Sequence, residues 1–287
     1  MRSASISHRV SKVTKLTIAV VAATVLICTV PRPVLAVDTI PFTQVKGGLI
    51  QVQGSVDGSA AVPMLVNLGA GIDVLSTDLG RRFVVVGGKY VSLRLTGERV
   101  DLPIGKVRTL ALGGVRIEAP NVGIWSGLDG TGIAGLISAT AFRNIATTFD
   151  FHDDQIIIED AQTFPDRIRP ETKIHVVLQD DLGIALGIFA RFNFGDGKTG
   201  LCEIDTGSQG ITIDRTFAAS IGLIPSGGST IQIPSIALDG ASVTAIDRPA
   251  VSLGNLIYDC DVGNSFWAGR AFTLDLPNRL LYVTTSL

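Results

Sequence analysis

The stretch Leu201–Asp214 reads LCEIDTGSQGITID. An apolar run ends on a carboxylate, Asp205, and a turn through Thr206, Gly207 and Ser208 leads into a second apolar run. Glycine at the third turn position lets the backbone reverse with no Cβ in the way. Asp205 is therefore one of two things. It is a turn carboxylate bonding its own loop amides, as Asp commonly does, or it is half of a reactive pair whose other member lies elsewhere in the chain.

A second copy of the arrangement lies upstream. VPMLVNLGAGIDVLSTDLGRRF (Val62–Phe83) aligns with GLCEIDTGSQGITIDRTFAASIGL (Gly200–Leu223), so that Asn67-Leu68-Gly69-Ala70 faces Asp205-Thr206-Gly207-Ser208. Each copy is preceded by a hairpin pattern, with turns at Asp57-Gly58 and at Gly195-Asp196-Gly197, and followed by another with Gly114 or Gly240 at its turn. The copies end in GIAGLISATAFRNIATTFDFHDDQIII (Gly132–Ile158) and YDCDVGNSFWAGRAFTLDLPNRLLYV (Tyr258–Val283). Matching Gly135 to Gly263 and Asp150 to Asp275 gives Gly-to-Asp spacings of 15 and 12. The excess of three is close to one helical turn, so the first copy is expected to carry the longer helix. Between the copies runs EDAQTFPDRIRPETK (Glu159–Lys173), polar and holding Pro165 and Pro170, a linker composition. The chain is thus divided into residues 1–36, an N-terminal lobe at 37–164 and a C-terminal lobe at 165–287, each lobe of ordinary domain size.

Composition agrees with an all-β reading. Hydrophobic residues make up 46% of the 287 residues and charged ones only 17%, while 32 glycines suit short strands and tight turns. The first 36 residues read as a signal peptide. Arg2, Arg9, Lys12 and Lys15 precede the apolar run Leu16–Val30, and Val34-Leu35-Ala36 offers a small-residue cleavage site. Fifteen residues are short of the roughly 20 a spanning helix needs, so an uncleaved anchor is the lesser alternative. Ile27 beside Cys28 argues against lipid attachment, and no later segment would span a bilayer. Cleavage after Ala36, expected on export across a bacterial-type inner membrane to the periplasm or beyond, removes five basic residues and no acidic one. The mature chain keeps 19 basic against 26 acidic residues, a net charge of −7. That balance, with no basic run, excludes nucleic acid as an expected partner. No phosphate-binding Gly loop or metal-ligand spacing is visible, so neither a metal nor another cofactor is expected. Ser208 has no recognisable His–Asp relay, since only His152 and His175 remain. Cys202 and Cys260 remain as an even pair in an oxidising compartment, either bonded or packed as two small buried thiols.

The doubled motif resembles the retropepsin-like aspartic peptidases. A strand ending in Asp-Thr-Gly-Ser leads to a hairpin, then to an apolar strand ending in Gly before a short helix. The ending Asp261–Val283 is similar to the C-terminal part of bacterial exported members. The tandem layout resembles the two-lobed, pepsin-type arrangement and implies two β lobes with short helices about a pseudo-two-fold axis, their Gly69 and Gly207 turns meeting at a cleft. The resemblance implies one carboxylate from each lobe, about 3 Å apart and sharing a proton. The ionised member deprotonates a water, and the other donates to the scissile carbonyl of an extended peptide. It further implies that the Thr hydroxyl reaches across to the opposite lobe, and that the strands holding Cys202 and Cys260 run close together inside one lobe.

The C-terminal motif matches in full at Asp205, Thr206, Gly207 and Ser208. The N-terminal one keeps Gly69 and Ala70 but has Asn67 in place of the Asp and Leu68 in place of the Thr. An amide cannot take up and return a proton near neutral pH. With Asn67 opposite, Asp205 is expected to lack a like-charged neighbour and to ionise as a single carboxylate. Three readings follow: an endopeptidase with impaired turnover, a non-catalytic binder of extended peptides, or a homodimer that restores a dyad by pairing two Asp205 residues. Asp73, six residues past Asn67, is read as pointing away from the turn. Asp150 and Asp275 are read as turn carboxylates, and Tyr90, Trp125 and Trp267 as packing residues. The turn-to-Gly spacing is 66 in the first lobe and 56 in the second, and the longer loop, including Val84–Val100, is read as a flap over the cleft.

Overall fold

In the N-terminal half, the strand Val62–Val66 runs into the Asn67 turn. In the C-terminal half, Thr199–Ile204 runs into the Asp205 turn. Both are central strands, which is why their apolar residues run nearly unbroken. A computed structural model describes residues 38–118, 120–169, 172–223 and 228–283. The leader at 1–36, with Cys28 and the cleavage site after Ala36, and the linker residue Pro170 lie outside the described residues.

Among the described residues three sheets carry the fold. The N-terminal lobe has a ten-stranded sheet and the C-terminal lobe a nine-stranded one. The third sheet is shared and has six strands in the order Asp38–Pro41, Gln155–Ile158, Thr147–Asp150, Ala271–Asp275, Leu280–Val283, Thr172–His175. Each half supplies three neighbouring strands, and the halves join where Thr147–Asp150 pairs antiparallel with Ala271–Asp275. Thr148 stands opposite Thr273 there, their hydroxyls 2.7 Å apart, and the rings of Phe149 and Phe272 stack at 5.1 Å. Val37–Leu287 forms one compact unit because this sheet runs through both halves. The crossing between them passes through the short helix Phe164–Ile168.

The strand ladders correct the Gly135–Gly263 match. Gly135 pairs with Met64, and Leu136–Ile137 with Leu65–Val66. In the other lobe Cys260 pairs with Cys202, and Asp261–Val262 with Glu203–Ile204. The residue that stands for Gly263 in the first lobe is therefore Ser138, not Gly135. Equivalent backbone bonds agree: Asn67 N–H donates to Ile137 O at 2.8 Å, and Asp205 N–H to Val262 O at 3.1 Å. From Ser138 to Asp150 is 12 residues, as from Gly263 to Asp275, so the supposed extra helical turn was a three-residue slip of alignment. The lobes differ in what they tolerate here. A Cβ on Gly263 would fall 2.4 Å from Ser208 O and 2.6 Å from Gly210 O, both backbone atoms, so the second lobe requires glycine. In the first lobe the Ser138 hydroxyl and N–H instead bond Asp73 Oδ1.

Candidate functional site

The two turns meet, each glycine lying under the other lobe's side chain. A Cβ on Gly69 would sit 2.5 Å from Asp205 Cγ, and one on Gly207 would sit 2.1 Å from Asn67 Nδ2. This reciprocal approach sets Asn67 against Asp205 and leaves no room for larger residues at either position. Asp205 Oδ1 accepts from Gly207 N–H at 2.7 Å. Thr206 is fully buried and bonds the opposite turn: Leu68 N–H donates to its Oγ1 at 3.0 Å, and the hydroxyl donates to Val66 O at 2.9 Å. Leu68, also fully buried, packs in the core with no hydroxyl to return the grip. Ala70 closes its short turn by donating to Asn67 O, as Ser208 does to Asp205 O. Asn264 steadies the second turn through Thr206 O at 2.8 Å. Asn67 Oδ1 is buried with no hydrogen-bond partner among the described residues.

Two further acids lie in the C-terminal lobe, and the sequence reading missed both. Glu203 and Asp261 are neighbours on parallel strands and are 6% and 0% exposed. Side chains alternate across a sheet, so both project from the face opposite Cys202 and Cys260, which are joined as a disulfide one residue earlier on each strand. Asp261 Oδ2 accepts from the Ser208 hydroxyl at 2.7 Å, while its Oδ1 is buried with no hydrogen-bond partner among the described residues. Burial, then the charge of Asp205, pushes Asp261 well above the usual carboxylate range. Burial, then the charges of Asp205 and Asp261, pushes Glu203 up to about 9. Asp205 is itself raised by burial, against the Gly207 N–H bond that pulls it down. The expectation of an isolated carboxylate is thereby corrected: Asp205 has no acid opposite it, but two in its own lobe. The signal in the sequence was an acid one residue after each of Cys202 and Cys260.

The remaining candidates sort by geometry. Asp73 is buried on the strand leaving the first turn, raised to about 6 by burial, and committed to Ser138 rather than to Asp205. Asp150 accepts from His152 and Asp153 N–H, and Asp275 from Asn278, so both are turn carboxylates. Trp267 is fully buried against Phe266 and Phe272, while Trp125 is half-buried with the Arg94 guanidinium 5.9 Å from its ring. Tyr90 departs from its packing role. It lies on the long hairpin of Val85–Leu93 and Arg99–Lys106, and its hydroxyl donates to Asp181 Oδ2 of the C-terminal lobe at 2.9 Å. Near the tip, Leu95 O accepts from Ile257 N–H at 3.0 Å. The hairpin is thus tied across the lobes at two points. Among the described residues no group of three His, Cys, Asp or Glu is set to hold a metal ion, and no helix is long and apolar enough to cross a membrane.

No family model matches the chain, and no curated protein does. Solved structures match in fold. The basic 7S globulin from soybean is 12% identical, with 86% of this chain and 94% of that one covered and a TM-score of 0.55. Conglutin gamma, a basic 7S globulin from lupine seeds, is 10% identical, with 86% and 94% covered and a TM-score of 0.53. The aspartic proteinase from Irpex lacteus is 14% identical, with 88% and 98% covered and a TM-score of 0.54. At such identity the likeness speaks for the fold alone, and that fold is the all-β, two-lobed, pepsin-like one.

Proposed function

We propose that this chain is an exported aspartic-type endopeptidase that works slowly, with Asp205 as its one cleft carboxylate and Asn67 as a neutral partner. The observation that carries the reading is the reciprocal packing of Gly69 under Asp205 and Gly207 under Asn67. One fold neighbour is an aspartic proteinase and two others are seed globulins, so the fold alone leaves cutting and holding both open. Among these readings Asp205 favours cutting. Ionised, it takes a proton from a water, whose oxygen attacks the peptide carbonyl, while the Asn67 amide donates to the oxygen that becomes negative. The C–N bond then breaks as Asp205 returns the proton to the leaving amine. An amide donor in place of a carboxylic acid is expected to lower the rate roughly 10²–10⁴-fold.

The binding-only reading is favoured by the same Asn67, which cannot deliver a proton. The homodimer route is not adopted, because Gly69 of the same chain already covers Asp205. Export is supported by the leader and by the Cys202–Cys260 disulfide, which suits an oxidising compartment. The test is cleavage of a mixed peptide library from acidic to neutral pH. Wild type is expected to cut weakly, Asp205→Ala not at all, and Asn67→Asp with Leu68→Thr more strongly, by up to roughly 10²–10⁴-fold. Binding of peptides without cutting by any variant would leave only the binding-module reading.

A further inference from the structure

We propose that Tyr90 fills a side-chain seat of the cleft as the chain's own stand-in for a tyrosine of an extended peptide, and that the hairpin carrying it must lift before such a peptide binds. The inference rests on the reading of the cleft as a peptide site for its ligand, while the closed hairpin stands on contacts within the chain.

The seat is an apolar cluster separate from the main core. Its buried members include Ile72 and Val74 from the run leaving the Asn67 turn, Leu102 from the hairpin and Ala185 from the C-terminal lobe. Tyr90 packs against this cluster, and so does Leu136, which pairs with Leu65 on the strand entering the Asn67 turn. The seat therefore draws on both lobes and lies beside the turn that carries Asn67. Side chains alternate along the hairpin strand, so Tyr90 and Ser92 are half-buried while Lys89, Val91 and Leu93 are exposed. Tyr90 stands opposite the buried Leu102. At the end of the ring its hydroxyl donates to Asp181 Oδ2 at 2.9 Å. Asp180 is taken by Arg143 and by Gly183 N–H, which leaves Asp181 to the phenol. Burial, then this bond, raises the Tyr90 hydroxyl to about 12, so it keeps its proton and donates through the acidic and neutral range. An apolar wall with an acceptor at its far end is what a phenol side chain requires.

The hairpin is built to lift. Its tip is held by the backbone bond from Ile257 N–H to Leu95 O at 3.0 Å, and a Cβ on Gly97 would lie 3.2 Å from Ile257 Cγ2. At the base, the ladder between Val85–Leu93 and Arg99–Lys106 slips between Val86 and Gly88. A Cβ on Gly87 would meet no atom within 4 Å, and one on Gly88 would meet an Ile104 methyl at 4.0 Å. Neither glycine is needed to admit a neighbour, and neither has a positive φ. What two adjacent glycines supply at a bulge is backbone freedom, the property of a hinge. With the tip bond and Tyr90 released, the hairpin turns on these residues. A peptide tyrosine then takes the vacated place and the Asp181 bond.

The mature, oxidised chain is tested with blocked alanine–serine hexapeptides carrying one central Tyr, Phe or Ala. Calorimetry reads binding, and hydrogen exchange at the Ile257 amide reads opening. Tyr90→Phe keeps the ring but cuts the bond to Asp181, and Tyr90→Ala empties the seat. Exchange at Ile257 should quicken about tenfold in Tyr90→Phe, as for loss of a hydrogen bond to a charged group. The Tyr peptide should bind about tenfold tighter to the same chain, because the open form is more populated, and tighter still to Tyr90→Ala. Gly87→Ala with Gly88→Ala should do the reverse, slowing exchange and weakening binding while leaving the seat untouched. In Tyr90→Ala the Tyr peptide should outbind the Phe peptide about tenfold, and Asp181→Ala in that background should erase the difference. A purely structural Tyr90 would give weaker or unchanged binding in both Tyr90 variants, and that result overturns the inference. So does equal binding of the Tyr and Ala peptides by Tyr90→Ala. Quickened exchange in Tyr90→Phe with no peptide bound by any chain overturns instead the peptide-site reading, and with it the seat's ligand, and leaves the closed hairpin standing.

Discussion

At pH 8 a Glu203→Gln chain is expected to melt well above wild type, and at pH 4 the two are expected to melt together. Glu203 sits on the strand Thr199–Ile204 beside Asp261, and burial, reinforced by Asp205 and Asp261, lifts its carboxyl from an ordinary 4.5 to about 9. The folded chain thus binds a proton that the unfolded chain releases. Below the ordinary value Glu203 is protonated in both states and exacts nothing. As pH rises from there towards 9 the unfolded state is progressively favoured, by about 1.4 kcal/mol for each pH unit. By pH 8 the loss approaches ~4–5 kcal/mol, a large share of the usual stability of a domain. Glutamine has nearly the same shape and no charge to release, so the variant escapes the loss. Asp261, raised in the same direction, and Asp73, raised to about 6, add to the acid preference of wild type. Calorimetry at pH 4, 6 and 8 decides the matter: melting temperatures of variant and wild type that run parallel across that range would show that Glu203 does not titrate as its surroundings require.

The same acids mark the limit of what the sequence made legible. Asp205-Thr206-Gly207-Ser208 and its degenerate copy at Asn67 were readable because a turn motif is local: four adjacent residues carry the geometry. The meeting of Gly69 with Asp205 followed from finding the motif twice in the same order. Glu203 and Asp261 were not readable in that way. Each follows a cysteine on a short strand, and what makes them neighbours is a parallel ladder between residues 58 positions apart, with register set by burial on both faces. The slip at Gly135 has the same origin. A glycine was matched to a glycine, whereas the ladder aligns Gly135 with Cys260 and puts Ser138 in the glycine's place. Tyr90 looked like packing because its partner, Asp181, is 91 residues away in the other lobe.

Removing the disulfide, as Cys202→Ala with Cys260→Ala, is expected to lower stability by about 4 kcal/mol and to disturb the site more than its distance from the cleft suggests. The bond closes a loop of 58 residues, and constraining a loop of that length in the unfolded chain contributes about 4 kcal/mol in the chain-entropy account. Both sulfurs are fully buried in the main core, so two alanines also leave unfilled volume. Location adds to this. The bond ties Thr199–Ile204 to Cys260–Val262 one residue before the Glu203–Asp261 pair and three residues before Asp205 and Gly263. Glu203 and Asp261 on the two strands and Asp205 in the turn that follows repel one another whenever they lose protons, and the disulfide holds the strands together against that repulsion. The loss should therefore be larger at pH 10, above the value of about 9 at which Glu203 ionises in the folded chain, than at pH 4, and Glu203→Gln in the double-alanine background should restore part of it at the higher pH. Urea unfolding of the four chains at both pH values measures the coupling as a double-mutant cycle. A disulfide contribution that is the same at both pH values, and unchanged by Glu203→Gln, would mean that the bond steadies the lobe without restraining the acids.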